Sequence, residues 1–431
     1  MKYLTTAFLC SIFSVTAYSQ AFVTSDIDNF WNAYDHIKST NDSAQQYGYI
    51  QKLYIDKGTP GLKAIMQARR YSPQSYINAI KAYPAFWAAV RRNTAHAGNA
   101  AEDIAAGVAR LKKLYPQLRP ATVYFTIGAL RTNGTIRDSM VLIGSELAMA
   151  DPATPVFEFP STMSHLKPYF ATDPAKHLAF LNVHEYVHTQ QKTSIGDNLL
   201  VQCVLEGAAE FLAVKAMDQA SPTPAIAYGK ANDAKVKARF LKEIYSPYFY
   251  NWLWNSPDNA FKIRDLGYYI GYAICEAYYN KAQDKQQAIA EMITLDYNNA
   301  NALNAFVDKS GYFGKTTAQL MAAYEAGRPV VSGIKQFTNG DTQVSPQVTQ
   351  VTLVFSQPMD PQYRNFDFGP LGKDALLSVK KFNGFSDDKL SATFEVAMEP
   401  GKHYQLLIGE GFRSVDGVPL KPYLVEITTA K

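Results

Sequence analysis

The hydrophobic period changes along this 431-residue chain, and those changes limit what it can fold into. From about Ile27 to Leu118 apolar residues recur at helical spacing, in DIDNFWNAYDHI, SPQSYINAIKAYPAFWAAVRRN and NAAEDIAAGVARLKKLYPQL. Each of these segments opens on an acidic first turn or on a Ser or Asn cap. Between 121 and 160 the period shortens. ATVYFTIGAL (121–130) and SMVLIGSELAM (139–149) are rich in β-branched and aromatic residues, and Asn133-Gly134 stands between them as a turn signal. PVFEFP adds a third short extended candidate. Helical spacing then returns and holds to Gly327-Arg328-Pro329. From Val330 onward the chain alternates as strands do, in QVTQVTLVFS and HYQLLIGEGF, with TNGD, QPMDP, MEPGKH and VDGVPL as turns. The expected fold class is α+β: a helix-rich domain holding a small sheet (21–328), then an all-β domain (329–431) of the size of a sandwich.

Residues 1–20 belong to neither domain. MKYLTTAFLCSIFSVTAYSQ has one lysine, an apolar run from Leu4 to about Ala17, and small residues before Gln20. That order is expected of a secretory signal peptide, and the run is too short to span a bilayer. Cys10 lies inside the run behind Leu9, whereas a lipidated cysteine follows a small residue. The chain is therefore expected to be exported, to the periplasm or beyond, after cleavage near Ser19 or Gln20. No later run of 18 apolar residues appears, so no transmembrane anchor is expected. A net charge of +4, from 42 basic and 38 acidic residues without a basic run, excludes a nucleic-acid footprint. Export leaves Cys203 and Cys275 in an oxidising compartment, where one disulfide competes with two buried thiols as the reading. The tendency of cysteine to be buried favours the thiols.

Seven histidines are few, yet FLNVHEYVHTQQK (180–192) places two of them four apart with a glutamate directly after the first. Asp173 and Pro174 supply a start for the helix that carries them. Residues four apart share one helix face, so His184 and His188 are able to direct two imidazoles at one metal ion. Glu185 lies about 100° further round, which suits a carboxylate that takes a proton from water rather than one that binds the ion. A catalytic zinc needs a third protein ligand and an open position. Glu206, on the long helical segment LLVQCVLEGAAEFLAVKAMDQA that follows the TSIGDN loop, is the candidate.

His184-Glu185-x-x-His188 with Glu206-Gly207-x-Ala209-Glu210 resembles the gluzincin metallopeptidases, the group of thermolysin and aminopeptidase N. YFTIGAL, VLIGSE, HEYVHTQQ, EGAAEF and LGYYIGYAI make it more similar still to predicted zinc-dependent proteases of Bacteroidetes-type bacteria, over roughly residues 120 to 300. The resemblance implies a zincin-like domain with Zn2+ on His184, His188 and Glu206, and Glu185 as the base. It implies a strand before the histidines, here 139–149, that holds substrate backbone along its edge. It also implies a tyrosine that donates to the oxyanion. Tyr268, three residues before Gly271, fits that spacing, with Tyr269 and Tyr272 as alternatives. A Gly-Ala-Met-Glu-Asn exopeptidase motif is absent from the sequence, so aminopeptidase specificity is not implied. The C-terminal strands, with FSQPMD, resemble bacterial Ig-like modules, which implies a cell-envelope partner.

Glu210 and Gln191 are candidates to orient the ligands from behind, and a solvated helix face is the competing reading for both. His177 shares a face with His184 and is expected to be packed or exposed; His36, His96, His165 and His403 are isolated. The expectation is a secreted or periplasmic zinc peptidase acting on peptides or proteins. A non-catalytic envelope protein that keeps the fold is the competing class, and Glu185 argues against it. Hydrolysis of a non-peptide bond is a weaker third.

Overall fold

The computed structural model describes residues 21–192, 195–257 and 259–431, so the segment expected to be a signal peptide, Cys10 included, lies outside the described residues. The chain divides into two compact units, the residues up to Gln191 with Leu212–Pro222, and Lys192–Phe211 with Thr223–Lys431. Both helices and strands are present in quantity, which makes the fold α+β. Among the described residues no helix is long and apolar enough to cross a membrane.

The first unit opens with helices at Ser25–Lys38, Ser43–Tyr49, Pro60–Arg69, Pro73–Ala82, Pro84–Thr94 and Ala97–Leu114. Thr59 and Ser72 cap two of them with their hydroxyls, each followed by a proline whose missing N–H costs nothing there. The segment that reads as one helix from Pro73 is broken at Tyr83, because Pro84 disfavours helical geometry in the residue before it. Phe30, Tyr54, Tyr76, Phe86 and Trp87 are fully buried, and Phe30 packs 5.1 Å, centroid to centroid, from both Trp31 and Trp87.

Beside this core lies a four-stranded sheet of β1 (Ala21–Val23), β2 (Thr122–Thr126), β3 (Gly134–Arg137) and β4 (Met140–Gly144), in the order β1-β2-β4-β3. β1, β2 and β4 run parallel, and β3 is antiparallel to β4. Four sequence expectations need correcting. Asn133-Gly134 is not a turn between two strands: Gly134 begins β3, and the reversal falls beyond Arg137, where Asp138 takes the left-handed conformation (φ 52°). In consequence β4 is an inner strand and cannot offer an edge; β3 is the edge strand on that side. Residues 145–148, read as part of the strand, form a helical turn, and PVFEFP forms no strand.

That helical turn holds Glu146, whose fully buried carboxylate accepts hydrogen bonds from Gly128 N (2.7 Å) and Leu130 N (3.1 Å). It thereby ties down the loop that leads to β3. Burial pushes its pKa up to about 7, and the groups nearest it, Tyr71, Tyr76 and Tyr54, are phenols that stay neutral in this range. Between the ordinary carboxylate range and about 7 the folded chain keeps a proton that the unfolded chain has released. Stability from this group is therefore complete at acid pH and is lost as pH rises through about 7, by on the order of 3 kcal/mol. Denaturant titrations at pH 5 and pH 8 should show a smaller drop for Glu146→Gln than for the parent chain; equal drops would remove Glu146 as the cause.

In the second unit, helices at Pro224–Ala231, Asp233–Phe240, Leu266–Lys281, Lys285–Thr294, Ala300–Ser310 and Thr317–Gly327 precede the strands. β5 (Val331–Ile334), β6 (Gln350–Phe355), β8 (Val379–Phe385) and β9 (Ser391–Val396) form one antiparallel sheet in the order β5-β6-β9-β8. A second sheet joins β7 (Phe366–Asp367), β10 (His403–Ile408) and β11 (Tyr423–Thr428) in the order β11-β10-β7. Leu353 and Phe394 of one sheet share a core with Leu406, Ile408 and Ile427 of the other, as alternation along each strand requires. The strand-rich segment meets the stretch that follows the helix Asp233–Phe240 at Arg413. Its guanidinium carbon lies 3.6 Å from the ring centroid of Tyr248, 4.6 Å from that of Tyr250 and 4.2 Å from that of Tyr363.

Candidate metal centre

The histidine-bearing helix spans Leu178–His188, shorter at both ends than the sequence suggests. Asp173 does not cap it; that residue is left-handed (φ 57°), and Pro174–His177 form a 3-10 turn before the α-helix begins. The C-terminal end is bolted to the segment before β2. Ala121 N donates to the Tyr186 hydroxyl (2.8 Å), which donates to Arg119 O (3.1 Å), and Arg119 Nη2 donates to Thr189 O (2.8 Å). These bonds fix where the last turn, with its two imidazoles, comes to rest.

His184 Nε2 and His188 Nε2 face each other at 3.1 Å, their rings inclined at 76°. Two nitrogens on one tetrahedral zinc, each at 2.0–2.1 Å, would be about 3.3 Å apart, so the spacing is close to that of ligands sharing an ion. His188 Nδ1 lies 2.7 Å from Gln191 Oε1. An amide oxygen there accepts the ring proton, which leaves Nε2 with a lone pair for a cation. Gln191 is thus in contact with His188 rather than in solvent, and it is buried.

Glu185 is half-buried and reaches toward β3. A Cβ on Gly134 would stand 3.1 Å from Glu185 Oε1, so glycine at the start of the edge strand leaves room for this carboxylate. The strand missed in the sequence is the one that meets Glu185.

Glu206 lies on the helix Leu199–Met217, whose start is held by Asn198 Oδ1 accepting from Val201 N (3.2 Å). The residue is 7% exposed, and one ligand atom from each of His184, His188 and Glu206 lies within 4.8 Å of the others. Two imidazole nitrogens and a carboxylate oxygen are the donor set of a catalytic zinc with three protein ligands. Among the described residues this is the one such group of histidine, cysteine and acidic side chains. Gln202, one turn before Glu206, was not anticipated; it donates from Nε2 to Glu206 Oε1 (3.0 Å). The i, i+4 spacing of Gln202 and Glu206 was the available signal.

The backbone around Glu206 is held by a close crossing with the helix Leu266–Lys281. A Cβ on Gly207 would lie 2.0 Å from the Gly271 carbonyl carbon, and one on Gly271 would lie 1.6 Å from Cys203 O. Tyr268 sits three residues before that crossing, half-buried in the first turn. The hydroxyls of the two alternatives are committed elsewhere, Tyr269 to Asp233 (2.7 Å) and Tyr272 to Glu276 (3.0 Å). Glu210 is buried; burial first, then Glu276 and Glu210, push the Tyr272 phenol up. Cys203 and Cys275 are buried and unbridged, and burial raises both thiols. His177 is half-buried and lowered by desolvation.

No protein-family model matches the chain, and no curated protein matches its sequence. Solved structures that align with it include two of the S-layer protein SbsC, one of residues 31–844 and one of domains 1–6. Each is 14% identical over 77% of this chain and 46% of that chain, with a TM-score of 0.19. A structure of the N-terminal part of the bacterial S-layer protein SbsC is 15% identical, over 77% of this chain and 79% of that one, with a TM-score of 0.19. The chain spans just under half the length of the first two, and likeness at this level says nothing of its function.

Proposed function

We propose that this chain is an exported zinc-dependent peptidase of the gluzincin kind, with a zincin-like domain and a C-terminal Ig-like sandwich. The observation that carries the reading is the convergence of His184, His188 and Glu206 within 4.8 Å, with a glutamate adjoining the first histidine. Zinc bound by these three would supply Lewis-acid polarisation of a scissile carbonyl and a water acidified to near neutrality.

The remaining chemistry belongs to the chain. Glu185, offset round the helix from the ligand pair, takes the proton of the attacking water and passes it to the departing amine. A half-buried position against Gly134 suits that task, because the carboxylate is positioned yet not sealed away. Tyr268 is the candidate donor to the developing oxyanion. β3 takes the role first sought in β4: it is the edge strand, able to pair with an extended peptide beyond Gly134, whose carbonyl already accepts from Thr132 Oγ1 (2.6 Å), and its first residue adjoins Glu185. Substrates are peptides or proteins, and the Ig-like strands supply a surface for a cell-envelope partner.

Metal analysis of the purified chain should find close to one zinc per molecule, and His188→Ala should lose it. Cleavage of a broad peptide library by the zinc-loaded chain, abolished by chelation and restored by zinc, supports the assignment. A chain that holds no zinc, or that holds zinc and cleaves nothing in the library, would remove it.

A further inference from the structure

The Gln202 side chain is fully buried and makes two hydrogen bonds of opposite sense. Its Oε1 accepts from Gly196 N (2.7 Å), and its Nε2 donates to Glu206 Oε1 (3.0 Å). The first bond decides the second. A backbone N–H can face only the oxygen end of the amide, so the NH2 end is turned toward Glu206 and a flipped amide would set donor against donor. Gln202 also lies one turn before Glu206 on the same helix, the spacing at which side chains meet.

We propose that Gln202 is a positioning residue for Glu206: a neutral amide, anchored on the Gly196 backbone, that presets the carboxylate for a metal ion. This inference rests on the zinc reading above. A glutamate side chain has three rotatable bonds, and holding it in one rotamer before the ion arrives removes an ordering cost from binding. Because the donor is an amide, it constrains the carboxylate without bringing a competing charge beside the ion. Gln191 does the equivalent for His188, so both outer contacts described here are neutral amides.

The test uses the full chain, stripped of metal and titrated with zinc against a chromophoric chelator, then with cobalt(II) to record its visible ligand-field bands. Gln202→Glu keeps an oxygen for Gly196 N and loses the donor to Glu206; Gln202→Met loses both. Each variant should bind zinc about 10- to 100-fold more weakly, the range found when groups behind metal ligands are removed. Their cobalt bands should shift in position or intensity, which a merely structural role would not cause. Where a variant does not fold, the parent chain still decides: the Gln202 side-chain amide signals, followed by 1H–15N NMR, should move on adding zinc. Unchanged zinc affinity and cobalt bands in a folded variant, or amide signals indifferent to zinc in the parent, overturn the inference while the zinc site stands. A parent chain that binds neither metal overturns both.

Discussion

Glu185→Gln is expected to keep its zinc and to lose about 100- to 10,000-fold in kcat/KM, the range supplied by a positioned general base. That loss corresponds to roughly 3–5 kcal/mol of transition-state stabilisation. The substitution is nearly isosteric, so the contact with Gly134 and the packing of the Leu178–His188 helix should persist. The carboxamide lacks the basicity to accept a proton. Zinc content measured beside steady-state kinetics, on the best peptide from the library, separates the possible outcomes. Full zinc with collapsed turnover is the expected result. Near-parental turnover would show that Glu185 is not the base, and lost zinc would show that it is needed to build the site.

Gly271→Ala is expected to be the most destabilising single methyl in the chain. Its Cβ would stand 1.6 Å from Cys203 O and 2.9 Å from Gly207 Cα, so backbone, not a flexible side-chain end, must yield. Overpacking of a core costs about 1–3 kcal/mol and sometimes more, and parting two helix backbones belongs at or above the top of that range. Gly207→Ala meets the same helix, at 2.0 Å, from the other side. The consequence reaches the candidate site, because Glu206 adjoins Gly207 and Tyr268 lies three residues before Gly271. Zinc affinity should therefore fall together with the melting temperature, the latter by at least roughly 5 °C. Gly98→Ala is the control. It lies in a helix with nothing within 4 Å of the added carbon, and alanine there should be neutral or stabilising by up to about 1 kcal/mol. Similar melting temperatures for Gly271→Ala and the parent would mean that the crossing is looser than described.

How much of this was legible in the sequence follows from how local each signal is. His184, Glu185 and His188 occupy one helix, where 3.6-residue periodicity alone sets their relation, so their grouping is legible without the fold. Glu206 required only that a second helix return past the first. β3 was missed because four residues, Gly-Thr-Ile-Arg, present no apolar alternation, and Asn133-Gly134 imitates a hairpin turn. The pairing of Ala21–Val23 with β2 joins segments about a hundred residues apart, and nothing local announces it. Asp173 carries the right side chain for a cap in the wrong backbone conformation, a distinction composition does not hold. Gln202 escaped notice for a different reason. The role proposed for it depends on Gly196 N being within reach, and that is a property of the folded loop.

Arg413 bears on how the strand-built end of the chain can be handled. The residue is only 6% exposed, desolvation lowers its pKa, and three phenol faces surround its cation. Two of those rings, Tyr248 and Tyr250, come from the stretch after the helix Asp233–Phe240, and the third comes from between the strands. Truncating the protein at Gly327 would withdraw the guanidinium from half-buried Tyr248 and from Tyr250, which is already exposed. The final hundred or so residues are thus grafted into the helical body, and exchanging them for another strand-rich segment would require carrying the arginine across as well.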